Sequence, residues 1–119
     1  MGGSGVVGRS FRVVAIDGVP VLEAPTADIT FGVDGRVTGR APVNRFAGPY
    51  ALDGAALTLG PLAGTLMAGP PEAMEQEQRL HRALSRRLTV VAGDGGRVEL
   101  RDGADVALVL VAVEPDERM

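Results

Sequence analysis

The dipeptide Asp-Gly recurs at 17–18, 34–35, 53–54, 94–95 and 102–103, and this constrains the fold more than any other feature of the chain. Both residues tolerate the positive φ that the two central positions of a type I′ hairpin turn demand. Apolar alternation flanks most of these turns. In "DITFGV" the residues Ile29, Phe31 and Val33 fall on one face and Asp28, Thr30 and Gly32 on the other. Beyond the turn, Val37, Gly39 and Ala41 continue the pattern. Ala55, Leu57 and Leu59 form a further set, and Val98 and Leu100 alternate with Arg97, Glu99 and Arg101. A period of two with one polar face marks antiparallel strands, and hairpins in series make a meander that closes on itself. The expected fold class is mainly β, a small antiparallel β-barrel or curved meander of about eight strands.

One segment departs from this period. "PPEAMEQEQRLHRALSRRL" (70–88) carries Pro71 near its start, Glu72, Glu75 and Glu77 early, and Arg82, Arg86 and Arg87 late. That order matches the helix dipole and predicts one helix over about 71–87. At about 100° per residue, Ala73, Leu80, Leu84 and Leu88 share a stripe flanked by Met74, with Glu75, Arg79, Arg82 and Arg86 opposite. Such a helix is expected to lie on the sheet or plug one end of a barrel. The segment "DVALVLVAV" (105–113) is apolar on both faces. Either it is a strand packed on the core and covered outside by the helix, or it is a homodimer interface.

Two polar residues fall on the wrong side of the helix. Glu77 projects near the middle of the apolar stripe and His81, one turn later, at its edge. A carboxylate there is costly unless it is hydrogen-bonded or paired. A second polar group stands in "RAPVNRFAGPYALDG" (40–54), where prolines and glycines bracket Asn44, Arg45, Phe46 and Tyr50. As an enzyme, Glu77 would hold a raised pKa, His81 would shuttle a proton, and Asn44 or Tyr50 would polarise a carbonyl. As structure, Glu77 would accept backbone N–H groups from the 42–48 corner or pair with Arg45. No nucleophile–base spacing supports the first reading, and the loop reads as a corner. In that reading Asn44 caps backbone groups and tolerates the left-handed region, Phe46 anchors the corner, and Gly48-Pro49 turns the chain into a strand starting at Tyr50. Met67 and Met74 read as gap-filling core.

Composition removes several function classes. The chain has 119 residues, enough for one domain. A net charge of −3 with 3% aromatic residues offers neither an electrostatic footprint nor a stacking platform for nucleic acid. With no Cys and a single His, no metal site or cofactor is expected. No apolar run approaches the roughly 18 residues of a membrane span. "MGGSGVVGRS" lacks the regions of a signal peptide. The expected location is cytoplasmic, the alternative being a secreted or envelope-anchored protein whose targeting segment has been removed. The expected organisation is a flexible segment over 1–8, a domain over 9–113, and a flexible tail over 114–119.

With the corner and helix placed, the sequence resembles the META domain, the family of the bacterial heat-shock protein HslJ. The family pattern "dGrvsGxxGCNrfxGxY" stands here as "DGRVTGRAPVNRFAGPY" (34–50), and "TxMACp…E" as "TLMAGPPEAMEQE" (65–77). Phe11 takes the place of a family tryptophan, and Glu77, Leu80 and Leu84 match the helix run. The motif residues carried over are Asn44, Arg45, Phe46, Gly48, Tyr50, Thr65, Met67 and Glu77. Val43 and Gly69 stand where the family has cysteines, and Pro42 replaces a glycine. Losing both cysteines is what a paired disulfide in the family implies, and its absence suits a reducing compartment. The resemblance implies a stress-associated, non-enzymatic protein that binds a partner protein or a small apolar ligand, as a monomer or as a homodimer through 105–113. The rival expectation is a cytoplasmic barrel enzyme of isomerase or cyclase type, acting on an apolar metabolite in its interior through Glu77, His81, Tyr50 and Asn44.

Overall fold

The computed structural model describes residues 5–22 and 27–113. In chain order the strands are β1 (Arg9–Ile16), β2 (Val19–Pro20), β3 (Asp28–Phe31), β4 (Arg36–Arg40), β5 (Arg45–Asp53), β6 (Ala56–Leu59) and β7 (Ala63–Gly64). The helix α1 (Pro71–Leu84) follows, then β8 (Leu88–Ala92), β9 (Arg97–Asp102) and β10 (Asp105–Ala112). Eight strands pair antiparallel in the order β10-β9-β8-β6-β5-β4-β3-β1, and β10 pairs with β1 to close the barrel. The two short strands lie off this ring, β2 on β1 and β7 on β5. The fold is thus a meander interrupted once, between β6 and β8, where the chain inserts β7 and the helix. Closure leaves the ring without a free edge. β-Bulges at Val13/Ala15 and Val106/Leu108 add the bend that closure requires.

The turns correct one detail of the sequence expectation. Only Asp17-Gly18 has positive φ at both residues, the type I′ signature. In the hairpins after Asp53 and Asp102 the aspartate still pairs across the ladder, and Gly54 or Gly103 alone takes positive φ. The aspartate is the last strand residue there, so the glycine occupies the first turn position, as in type II′ turns. The 34–35 turn is also different. Val33 sits at its tip, 83% exposed rather than on the apolar face, and Asp34 Oδ1 accepts the Arg36 N–H.

The barrel interior is filled. Phe11, Phe31, Ile16, Ile29, Leu57, Leu100, Leu108 and Leu110 are all fully buried, as expected where eight strands leave a lumen just wide enough for side chains. Leu80, Ala83 and Leu84 of α1 belong to the same cluster, so the helix plugs one end of the barrel. It does not run along the outer face of β10. Val109 on that face lies between Glu99 of β9 and Ala15 of β1. Pro71 at the first helical position and Glu72 in the first turn open the helix, and Ser85 closes it by donating its N–H to the His81 carbonyl. The helix therefore stops short of 87, because Leu88 is needed in β8, where it pairs with Leu57. At the N-terminus, Val6 is buried and Gly8 donates its N–H to the Phe31 carbonyl at 2.6 Å. Among the described residues, packing therefore begins at Val6. Residues 1–4 of the expected flexible segment and the tail over 114–119 lie outside the described residues.

Candidate functional site

The turn between β4 and β5 is Ala41-Pro42-Val43-Asn44, closed by the Ala41 N–H donating to the Asn44 carbonyl at 2.8 Å. Two of its N–H groups face α1. Glu77 Oε1 accepts both the Val43 and the Asn44 N–H at 3.0 Å. Its Oε2 accepts the Asn44 side-chain amide at 2.6 Å. Asn44 also uses the rest of its amide. Nδ2 donates to the Met67 carbonyl at 3.0 Å, while Oδ1 accepts the Met67 N–H at 2.6 Å and the Thr65 hydroxyl at 2.8 Å. One side chain thereby pairs with a peptide unit as a strand would, and all the bonding positions of a buried amide are satisfied. Asn44 and Glu77 are 4% and 6% exposed.

Glu77 is held ionised by this arrangement. Burial pushes its carboxyl up, but the Asn44 side chain, the two backbone donors and the charge of His81 outweigh it and hold the group below the usual carboxylate range. Arg45 is not its partner. Arg45 follows Asn44 on an extended strand, where successive side chains point to opposite faces, and it is exposed. The corner is local in its conformation too, since among the described residues Asp17 is the only non-glycine with positive φ. Asn44 acts through its side chain and not through a left-handed backbone. β5 also runs straight through Gly48-Pro49 to Asp53 instead of starting at Tyr50. Pro49 faces Arg36 at the end of the β4 ladder, and its carbonyl accepts the Gly60 N–H.

Tyr50 is not part of this group. It lies six residues beyond Asn44 along β5, roughly 20 Å of extended chain. There its hydroxyl donates to the Gly32 carbonyl at 2.6 Å and its ring meets Phe31 edge-on at 5.3 Å. Burial, and secondarily the Asp34 charge, hold its phenol above the usual range. The four residues named for an enzyme are therefore split between the two ends of the barrel. His81 stays near the corner, half-buried, its ring edge-on to Phe46 at 5.4 Å.

Between β6 and α1 the chain 60–66 forms a strap along β5, where Ala63 and Gly64 of β7 pair with Ala47 and Phe46. It passes so close to Gly48 that a Cβ there would meet the Pro61 carbonyl at 2.7 Å and Leu62 at 2.8 Å. Strap, corner and helix enclose an open cleft of about 630 Å³. Phe46, Leu59, Leu62, Leu66, His81 and Leu84 supply much of its lining. Leu66 is 99% exposed at its rim, and Met67, held by its backbone rather than packed as core, is 55% exposed. Gln76 is a further buried polar residue, accepting the Leu22 N–H at 2.7 Å. The sequence carried its signal, three residues after Ala73 and four before Leu80. The structure also joins two positions that the motif comparison singled out: a Cβ on Gly69 would lie 3.5 Å from Val43 Cβ.

The family model described as META domain matches residues 4–115. No curated protein matches the chain in sequence. Among solved structures, an NMR structure of a protein from Burkholderia xenovorans is similar at 24% identity and TM-score 0.72, covering 91% of this chain and 83% of that one. A second NMR structure is also 24% identical, with TM-score 0.68, and covers 87% of this chain and 88% of its own. At that identity the likeness is one of fold. Among the described residues no helix is long and apolar enough to cross a membrane.

Proposed function

The chain belongs to the META domain family, and from that premise we propose that it is a stress-associated binding module whose cleft between strap and helix takes a small apolar ligand. The observation that carries this reading is the cleft itself. Its volume of about 630 Å³ falls within the range of small-molecule sites, and its apolar lining converges on a few polar groups, as such sites do. The Asn44–Glu77 knot then has a supporting role. It fixes the strap to the helix, so that the cleft is formed before a ligand arrives. Absence of cysteine agrees with a reducing, cytoplasmic location.

A second reading, a docking site for a partner protein, draws on exposed Leu66 and Met67 at the rim. Other readings draw less support. An enzyme working inside the barrel meets a lumen filled by buried side chains. Glu77, which that reading required to hold a raised pKa, already has both oxygens bonded. For a homodimer through 105–113, Leu108 and Leu110 are turned into the core, and Val109 is nearly buried in the single chain.

The test is native mass spectrometry on protein purified gently from its own cells, followed by an amide NMR titration with n-decanol. An added mass lost on denaturation, and saturable shifts confined to residues around Phe46, Leu62, Leu66 and His81, are expected. Bare protein by mass, with no saturable shift, would defeat the ligand reading and leave the partner reading standing.

A further inference from the structure

Beside the cleft lies a second depression of about 370 Å³ with Arg40 and Arg45 on its walls and Pro42, Val43 and Met67 among its other lining residues. Arg45 and Thr65 line both depressions, so the apolar volume adjoins a cationic one. Arg40 and Arg45 are direct partners across the antiparallel β4–β5 ladder, and both are exposed. Like charges directly opposite one another destabilise a sheet. The row continues through Asp28, opposite Arg40, to Arg12, opposite Asp28. It therefore sets three positive groups against one negative in a chain whose net charge is −3. Among the described residues, no ion pair within 4.0 Å involves Arg40 or Arg45. The fold needs nothing from this juxtaposition.

Building on the cleft reading above, we propose that the ligand is an amphiphile, an apolar chain lying in the cleft with a carboxylate head held by Arg45 and Arg40. Guanidinium groups suit that head because their planar fork presents paired N–H donors to two oxygens. The Met67 and Val43 floor accommodates the first methylenes beside the head. Thr65, shared by both depressions, marks where chain and head meet.

The test is an amide NMR titration of the full chain with sodium decanoate, n-decanol and sodium acetate, each below its aggregation limit. Decanoate is expected to bind about tenfold more tightly than decanol, and acetate not to saturate. Arg45→Gln, and separately Arg40→Gln, are expected to weaken decanoate about five- to tenfold and leave decanol unchanged. Both side chains are exposed, so neither change threatens folding. Leu66→Asp, at a fully exposed rim position, is expected to weaken both long-chain probes. Equal affinity for decanoate and decanol, with no response to either arginine change, would overturn the carboxylate assignment while the apolar cleft stands. Failure of both long-chain probes to shift any cleft residue would overturn the cleft reading and this proposal with it.

Discussion

At one end of the barrel Phe11, Phe31 and Tyr50 meet edge to face, with ring centroids 6.2 and 5.3 Å apart, and one phenol hydrogen bond to Gly32 completes the closure. At the other end α1 supplies Leu80, Ala83 and Leu84 to the core, and the remaining gap is tied by Glu77, Asn44, Thr65 and the Met67 backbone. The first end is sealed chiefly by apolar contact. The second is held by a buried polar network, and it is there that a cleft opens. An apolar seal tolerates a missing hydrogen bond, whereas a satisfied buried network loses several partners at once when one member goes.

That difference is open to direct attack. The largest expected effect is Asn44→Ala, which strips Glu77 Oε2 of its donor and leaves both the Met67 amide and the Thr65 hydroxyl without their partner. A loss of about 3–5 kcal/mol is expected in urea unfolding; a loss no greater than that of a surface substitution would remove the contrast between the ends. Next comes a crosslink that strengthens the tied end. With Cβ positions 3.5 Å apart, inside the range for disulfides, Val43→Cys with Gly69→Cys should oxidise readily and raise stability by about 2–3 kcal/mol over the reduced form. Failure to form the bond under mild oxidation would show the corner and the segment before the helix to be further apart. A smaller effect, about 1 kcal/mol, is expected for Tyr50→Phe, because the ring keeps its aromatic contacts. Thermal denaturation showing Tyr50→Phe as damaging as Asn44→Ala would make the two ends equivalent. Smallest is Arg86→Ala. It breaks a surface pair with Asp17 at 2.8 Å, and a change within about 0.5 kcal/mol is expected from a salt-dependent melting series.

Much of the barrel was legible because strands announce themselves locally. Ile29 with Phe31, and Val98 with Leu100, alternate with polar neighbours, and all four are buried. Turn types were less legible, because Asp-Gly serves two registers. Whether the aspartate ends the strand, as Asp53 and Asp102 do, depends on pairing to residues the dipeptide does not contain. The knot was half legible. A glutamate on an apolar stripe must find donors, and the 42–48 corner was the natural supplier. That both oxygens would be taken by Val43 and Asn44, leaving Arg45 outside, follows from the strand's alternation only once β5 is known to begin at Arg45. Tyr50 and Asn44 are near in sequence but not in space, because the extended β5 carries Tyr50 away from the corner that Glu77 binds. The strap and its cleft gave no periodic signal at all.

The state of Glu77 is where these lines meet. Its carboxyl is held below its unfolded value, so its stabilising contribution is fully present above about pH 4.3 and is lost as pH falls through the folded value. Glu77→Gln should remove that part of the acid dependence. The most direct measurement is a ¹³C NMR titration of the Glu77 side-chain carboxyl in the folded protein. A midpoint below about 4.3 is predicted, as for a group tying a corner to a helix. A midpoint near or above about 6, where a general acid or base works, would contradict the structural role and return Glu77 and His81 to consideration as a catalytic pair.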